Sequence, residues 1–531
     1  MIGKTVKAFI LAMIFFTSLS RGENNPFYNI ADFGAIADGK TKNTEVFKMV
    51  IAKVKEAGGG TVYVPPGVYL TGPIHFIDNM TLYVEAGATI KFSTDFDDYL
   101  PLVPRRFQGL VFKGFSPLLY AYEVNNIAIK GRGKIDGQGF AWQNYYKEFR
   151  EIYKASNSTN RNIDKWQADI WEANKPLQVH HGGFLRPQLL HFYKCTDVLL
   201  EEIRLRDTPF WTCHFALCEN VNVRGVDVKN PPGMNPDGIT IESCKNVHIS
   251  DCHLDVDDDG FTIKAGRDST GRWEGNSAEN ITITNCTVIA GAAGFAIGSE
   301  MSGDVRNVTV SNSVYVGTGT GVYIKTVRGR GGVVENITVD NLIVKNTNNP
   351  HSGVAPAIGI DMHYYKKTEQ QPVTENTPKF RNLHFSNISG DGNEQTILVN
   401  GLVEMPIENI SFSNINLGGG NGIICKNVNG IRLNNVTVTP DTGVVFASLN
   451  VSDLEINGLS TRKNMKNTPL IKLRNTSNAF IHSTFLPQGI KIFMELSGKN
   501  NDKIYLGTED ESRFSDDIVF KNGATKESLI R

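Results

Sequence analysis

Two short runs in the chain gather acidic side chains: Asn235-Pro-Asp-Gly and, further on, Asp257-Asp-Asp-Gly-Phe-Thr-Ile-Lys264. Asp237 and Asp258 lie 21 residues apart. If that interval is one turn of a stacked strand array, with neighbouring strands about 4.8 Å apart, the carboxyls of Asp237, Asp258 and Asp259 gather on one face. Crowded carboxylates repel, so at least one keeps its proton to higher pH. A protonated carboxyl beside an ionised one suits general acid and general base catalysis. Inverting glycoside hydrolysis needs this set: one group protonates the leaving oxygen and another, about 6.5 to 9.5 Å away, activates a water. Two other readings attach to the same residues. Asp255-x-Asp257-x-Asp259-Gly260 copies the first half of a calcium loop, although Gly266 stands where a closing Glu is required and no flanking helices are expected. A solvated acidic turn is the third.

Such acids need a frame that repeats, and the chain contains one. A polar residue, mostly Asn, followed by alternating apolar residues recurs at Asn126, Asp197, Asn220, Asn246, Asn280, Asn307, Asn336, Asn382 and Asn409, with weaker copies at Gly430 and Asp453. Where no insertion intervenes the period is 21 to 29 residues, with strand alternation and scarcely any helical periodicity. One coil of that length cannot bury its apolar face alone, whereas stacked coils bury a continuous core. The pattern predicts an all-β, single-domain, right-handed parallel β-helix in preference to a sandwich or propeller. Asn at a fixed place tolerates a left-handed bend and can hydrogen-bond its counterparts above and below.

An amphipathic helix is expected near Thr44 to Ala57, stopped by Gly58-Gly-Gly, as a cap over one end of the core. The expected organisation is a leader over 1–22, cap and first coils over 23–120, the β-helix over 121–485, and a last coil or cap over 486–531. Three stretches break the period: about 97–119, 140–183 and 346–377. The second holds Trp142, Tyr145, Tyr146, Trp166 and Trp171, which read equally as sugar-stacking rings or as a small local core.

Lys4 and Lys7 precede an apolar run from Ala8 to Phe16 and then small residues to about Gly22. That is the form of a secretory signal, and the run is too short to span a bilayer. An exported protein, periplasmic or extracellular, is expected. Lys+Arg 54 against Asp+Glu 55 leaves a net charge of -1, which offers no global field for nucleic acid or an anionic membrane. The seven cysteines show no C-x-x-C spacing, and several recur at the same place in successive coils as small buried apolar groups. Gly317-x-Gly319-x-Gly321 lacks the helix that a nucleotide site requires.

In combination, Asn235-Pro-Asp-Gly, Asp258-Asp259 with Thr262-Ile-Lys264, Ile297-Gly-Ser-Glu-Met-Ser-Gly and Ile324-Lys-Thr-Val-Arg-Gly-Arg-Gly-Gly resemble glycoside hydrolase family 28, the polygalacturonase-like β-helix enzymes that hydrolyse pectin. The resemblance runs from Ala31-Asp-Phe-Gly-Ala through the last repeats. It implies Asp258 as general acid, Asp237 and Asp259 as the pair that holds and activates water, and Lys325 facing the sugar carboxylate or a neighbouring oxygen. Asn235, Lys264, Tyr323, Arg186, His214 and Tyr364 are the further residues expected to bind substrate, with His180-His181 expected along the groove and Tyr365 beside Tyr364. It implies a pectic substrate, and the insertions favour a partly blocked groove, so that an exo-acting galacturonosidase or a rhamnogalacturonan hydrolase is expected, as a monomer with neither cofactor nor metal.

Two positions depart from the family pattern. Members that cleave polygalacturonate usually carry a His in a Gly-His-Gly turn, where this chain has Gly291-Ala292-Ala293-Gly294. The residue two before the motif lysine is usually Arg, and here it is Tyr323. Tyrosine cannot replace a bidentate guanidinium on a carboxylate. A calcium-dependent pectate lyase and a non-catalytic carbohydrate-binding solenoid share the predicted fold and stay open at this level.

Overall fold

The computed structural model describes residues 26–155, 165–174, 186–346, 356–364, 369–392, 394–463, 468–485, 490–514 and 517–530. The expected leader, His180, His181 and Tyr365 lie outside them.

The described strands form one long parallel β-solenoid of 35 strands and a separate two-stranded hairpin. Along the face that matters here, Leu190–Tyr193 pairs with Cys213–Ala216, that strand with Ile239–Glu242, and that with Phe261–Lys264. The column continues through the ends of Thr287–Ile297 and Val305–Lys325 to Pro356–Asp361. Alternation along each strand builds the core. Val247 and Ile249, Ile281 and Ile283, and Val308 and Val310 lie in register on successive coils, all of them buried.

The recurring Asn performs the two tasks its chemistry allows. Asn220, Asn246, Asn280, Asn307 and Asn336 have φ between 53° and 59°, the left-handed region that Asn tolerates better than most residues. Each side chain donates to its counterpart on the preceding coil: Asn246 Nδ2 to Asn220 Oδ1 at 3.3 Å, Asn280 to Asn246 at 3.2 Å, Asn307 to Asn280 at 3.2 Å and Asn336 to Asn307 at 3.1 Å.

Helix α1 (Thr44–Glu56) buries Phe47, Val50 and Val54 at helical spacing and covers the first coils. The chain leaves it through Gly58, Gly59 and Gly60 at φ 81°, 149° and 155°, and the Gly60–Val64 strand follows. Of the three breaks in period, the first forms the hairpin Val103–Phe107 with Leu110–Gly114. The second carries α2 (Gly139–Ala155) and α3 (Lys165–Ala173). Its aromatics make a local core: Trp142 is fully buried, stacked on Phe96 at 4.0 Å and edge-on to Phe115 at 5.2 Å. A short α4 (Asp268–Glu274) follows the acidic run. At the far end Met494–Ser497, Asp502–Leu506, Ile518–Lys521 and Leu529–Ile530 extend the stacking. There α5 (Thr508–Phe514) lays Phe514 on Phe493 at 4.7 Å. All seven cysteines are buried free thiols.

Gly260 shows how tightly the coils close next to the acids. A Cβ added there would sit 2.9 Å from the Gly294 carbonyl and 3.0 Å from both methyls of Val288. Gly260→Ala is therefore expected to destabilise the protein by about 1–3 kcal/mol, as overpacking does, read as a lower urea midpoint with an unchanged slope.

Candidate active site

The acids stand where the chain turns into the strands of this face. Ile239 pairs with Phe261, and Gly238 N–H donates to Asp259 O at 3.0 Å. That register sets Asp237 over Asp259, so the coil partner of Asp237 is Asp259, with Asp258 one residue upstream. Asp258 is tied on both oxygens: Asn235 Nδ2 donates to Oδ2 at 3.2 Å and Asp259 N–H to Oδ1 at 2.9 Å. Lys325, higher in the column, donates to Asp259 Oδ2 at 2.9 Å. Oδ1 of Asp237 and Oδ1 of Asp259 are buried acceptors with no hydrogen-bond partner among the described residues.

A cleft of about 230 Å³ opens over these groups, lined also by Lys264, Glu300, Trp211, Tyr323 and Tyr364. Burial first, then the charges of Asp258 and Asp259, raise Asp237 well above the ordinary carboxyl range, with Lys264 and Lys325 opposing. Burial and the Asp259 charge likewise raise Asp258. Burial disfavours the Lys264 ammonium, yet Glu300 and Asp237 more than offset this and raise it. Its Nζ donates to Glu300 Oε2 at 2.9 Å and to Gly298 O at 3.0 Å.

Two residues expected to touch substrate are placed elsewhere. Arg186 is fully buried, its guanidinium 4.0 Å from the Tyr146 ring centroid and 4.9 Å from that of Phe210. It donates to the Met234 carbonyl and to Asn235 Oδ1 at 3.3 Å, so it holds the turn that aims Asn235. Packing between two rings is the reason it stops short of the cleft. His214 is also fully buried. Its Nε2 lies 3.0 Å from Glu242 Oε2 and its Nδ1 3.1 Å from the Gln188 amide, which leaves no ring nitrogen for a ligand. Asn235, Lys264, Lys325, Tyr323 and Tyr364 do line the cleft beside the three acids.

The calcium-like run does not converge. Asp255 faces Lys229 at 3.6 Å, Asp257 accepts from Gly233 N–H at 3.0 Å, and Asp259 is held by Lys325.

The sequence profile "Glycosyl hydrolases family 28" matches residues 80–439. The chain belongs to glycosyl hydrolase family 28. A second profile, "Rhamnogalacturonase A/epimerase, pectate lyase-like", matches residues 27–102. A probable polygalacturonase of Vitis vinifera is 25% identical over 402 residues, 73% of this chain and 74% of the relative. The endo-polygalacturonase of Pectobacterium carotovorum subsp. carotovorum is 27% identical over 365 residues, 68% and 80% respectively. Among solved structures, a hyperthermoactive exopolygalacturonase from Thermotoga maritima is 32% identical, with a TM-score of 0.63 over 75% of this chain and 88% of that one. The protein is therefore a glycoside hydrolase of a pectin-degrading family.

Membership leaves the details of this family 28 cleft to its own residues, and several escaped sequence reasoning. Glu300 lies inside the Ile297-Gly-Ser-Glu motif but gave no charge pattern to mark it. Gln108, at the tip of the hairpin with φ 48°, reaches the cleft from 97–119. The hairpin is anchored by Arg106, fully buried, at 2.8 Å from Glu242 and 3.0 Å from Glu274. Burial alone would raise Glu242, but Arg106 and then His214 bring it down to about 2. From the second insertion, Gln143 accepts from Met234 N–H at 3.1 Å and donates to Pro209 O at 3.0 Å. Ala292 occupies the turn beside the acids, its N–H donating to Asp258 O at 3.0 Å.

These shifts set opposite pH dependences. Asp237, raised in the fold, stabilises most below its ordinary value of 3.8 and loses that contribution as pH rises. Glu242, lowered in the fold, stabilises above 4.5 and loses its contribution as pH falls toward 2. Asp237→Asn is expected to be more stable than the parent at neutral pH by about 1–3 kcal/mol. Urea unfolding across the acid range would show that gap closing near pH 4; a gap that widens there contradicts the assignment.

Proposed function

We propose that this chain is an exported, monomeric, exo-acting hydrolase that cleaves α-glycosidic bonds of pectic polysaccharide with inversion. The observation that carries the reading is the set of three buried acids: Asp258 tied by Asn235, and Asp237 in register over Asp259, each with one open oxygen. Asp258, whose hold on a proton is raised by burial and by the Asp259 charge, donates it to the glycosidic oxygen. The bond from that oxygen to the anomeric carbon breaks, and its electron pair stays with the leaving sugar. A water held between the open oxygens of Asp237 and Asp259 attacks the anomeric carbon from the opposite face, and the Asp259 carboxylate, paired with Lys325, takes its proton and passes it to solvent. Solvent then returns a proton to Asp258. Lys325 orients Asp259 and offsets its charge.

Support for the exo mode comes from the insertions. Gln108 of the first and Tyr364 of the third stand in the cleft, and Gln143 of the second props its turn. The Thermotoga maritima neighbour is an exopolygalacturonase. Export rests on the leader-like first 22 residues and on the polymer lying outside the cell; among the described residues no helix is long and apolar enough to cross a membrane.

The test follows hydrolysis of pectic oligosaccharides by proton NMR in the presence of chelator. The β anomer of a saturated product appears first, and the shortest product accumulates from the start. Asp258→Asn lowers kcat by about 10²–10⁴-fold. An initial α anomer, an unsaturated product or full activity in that variant would reject the mechanism.

A further inference from the structure

The cations of the cleft are taken up by its own acids. Four carboxyl groups line it, Asp237, Asp258, Asp259 and Glu300, against two ammonium groups, Lys264 and Lys325. Both ammonium groups are already committed. Lys264 is taken by Glu300 and the Gly298 carbonyl. Lys325 is taken by Asp259 and lies over the rings of Tyr323 and Tyr364, 5.2 and 5.0 Å from their centroids. No other cation lines the cleft among the described residues. Arg267, behind the hairpin tip, is shared between Gln108 at 3.3 Å and Asp268 at 3.4 Å.

Tyr323 is built into this arrangement. In the stacked column it lies between Ala296 and Gly359. A Cβ at Gly359 would come within 2.9 Å of the Tyr323 ring, so the glycine makes room for it. Tyr364 meets that ring edge-on at 5.6 Å. The pair offers the apolar, hydroxyl-tipped surface on which a neutral pyranose packs, and no donor fork for a carboxylate.

Resting on the hydrolase reading above, we propose that the sugar bound against Tyr323 and Tyr364 is uncharged: a neutral residue of a pectic chain, or a uronate whose carboxyl is esterified. A free uronate there would have to shed water where every described ammonium of the cleft is already engaged, and a charge desolvated without a partner is costly. Tyr323 thus sets specificity through shape and the absence of charge.

The test compares trigalacturonate with its trimethyl ester, which differ in charge but not in linkage or length. The ester is expected to have the higher kcat/KM by about tenfold or more. Tyr323→Arg is expected to move the acid-to-ester ratio toward the acid by about tenfold. Preference of the parent for the acid, or a ratio that Tyr323→Arg leaves in place, overturns the proposal while leaving the hydrolase intact. If neither trimer is cleaved, calorimetry of the same two trimers on Asp258→Asn decides it apart from catalysis. Tighter binding of the ester upholds the proposal; tighter binding of the acid, or binding of neither, overturns it.

Discussion

Parallel strand pairing holds one coil about 4.8 Å from the next, and everything in the cleft inherits that spacing. It places Asp237 above Asp259 whether or not their charges favour it, because the pairing of Ile239 with Phe261 is enforced by buried side chains on both strands. The acids cannot move apart to relieve repulsion. Relief comes instead from a raised proton affinity at Asp237 and Asp258 and from an ammonium brought in on a later coil, that of Lys325. The rigidity of the scaffold is thus converted into proton affinity.

The same logic governs the walls of the cleft. The hairpin tip stays over the cleft because Arg106 is buried between Glu242, on a core strand, and Glu274, at the end of α4. Breaking such a pair would leave an uncompensated charge in the interior. Glu242 in turn fixes His214, and Arg186 fixes the Asn235 turn. Charges with no access to substrate therefore position the groups that have it, which explains why two of the residues marked by type as ligands lie beneath the cleft and not in it.

Much of this could be read from the chain because a solenoid is periodic. The Asn ladder, the cap helix near Thr44 and the acidic runs each follow from short-range spacing that pairing then repeats. A second ladder, running from Asn312 to Asn341 at 2.8 Å and from Asn387 through Asn414 to Asn435 at 3.0 and 2.9 Å, shares those coils yet escaped notice. Its members sit at φ between 52° and 56°, where the buried positions step by three residues instead of two, as from Phe385 to Ile388 and from Phe412 to Ile415, a slip too small for the alternation to mark. The partners of Arg106 are 136 and 168 residues away, and the insertions have no period from which such distances follow. The one-residue offset between Asp258 and the coil partner of Asp237 was hidden for a related reason: turn length adds to the interval, and only the strand register separates the two.

The Asn ladders also constrain how a chain of this kind can change length. Each rung needs a side chain at the same angular position on the next coil, and a fraction of a coil added between rungs would misalign every Asn beyond it. A whole coil added or removed would leave the ladder continuous. The insertions at 97–119 and 346–377 spare the rungs on either side, Asn126 still reaching Asn79 at 2.9 Å across the first and Asn382 reaching Asn336 at 3.1 Å across the other. Growth of the solenoid is accordingly quantised, in whole coils along its axis, while loops of any length can accumulate at its corners.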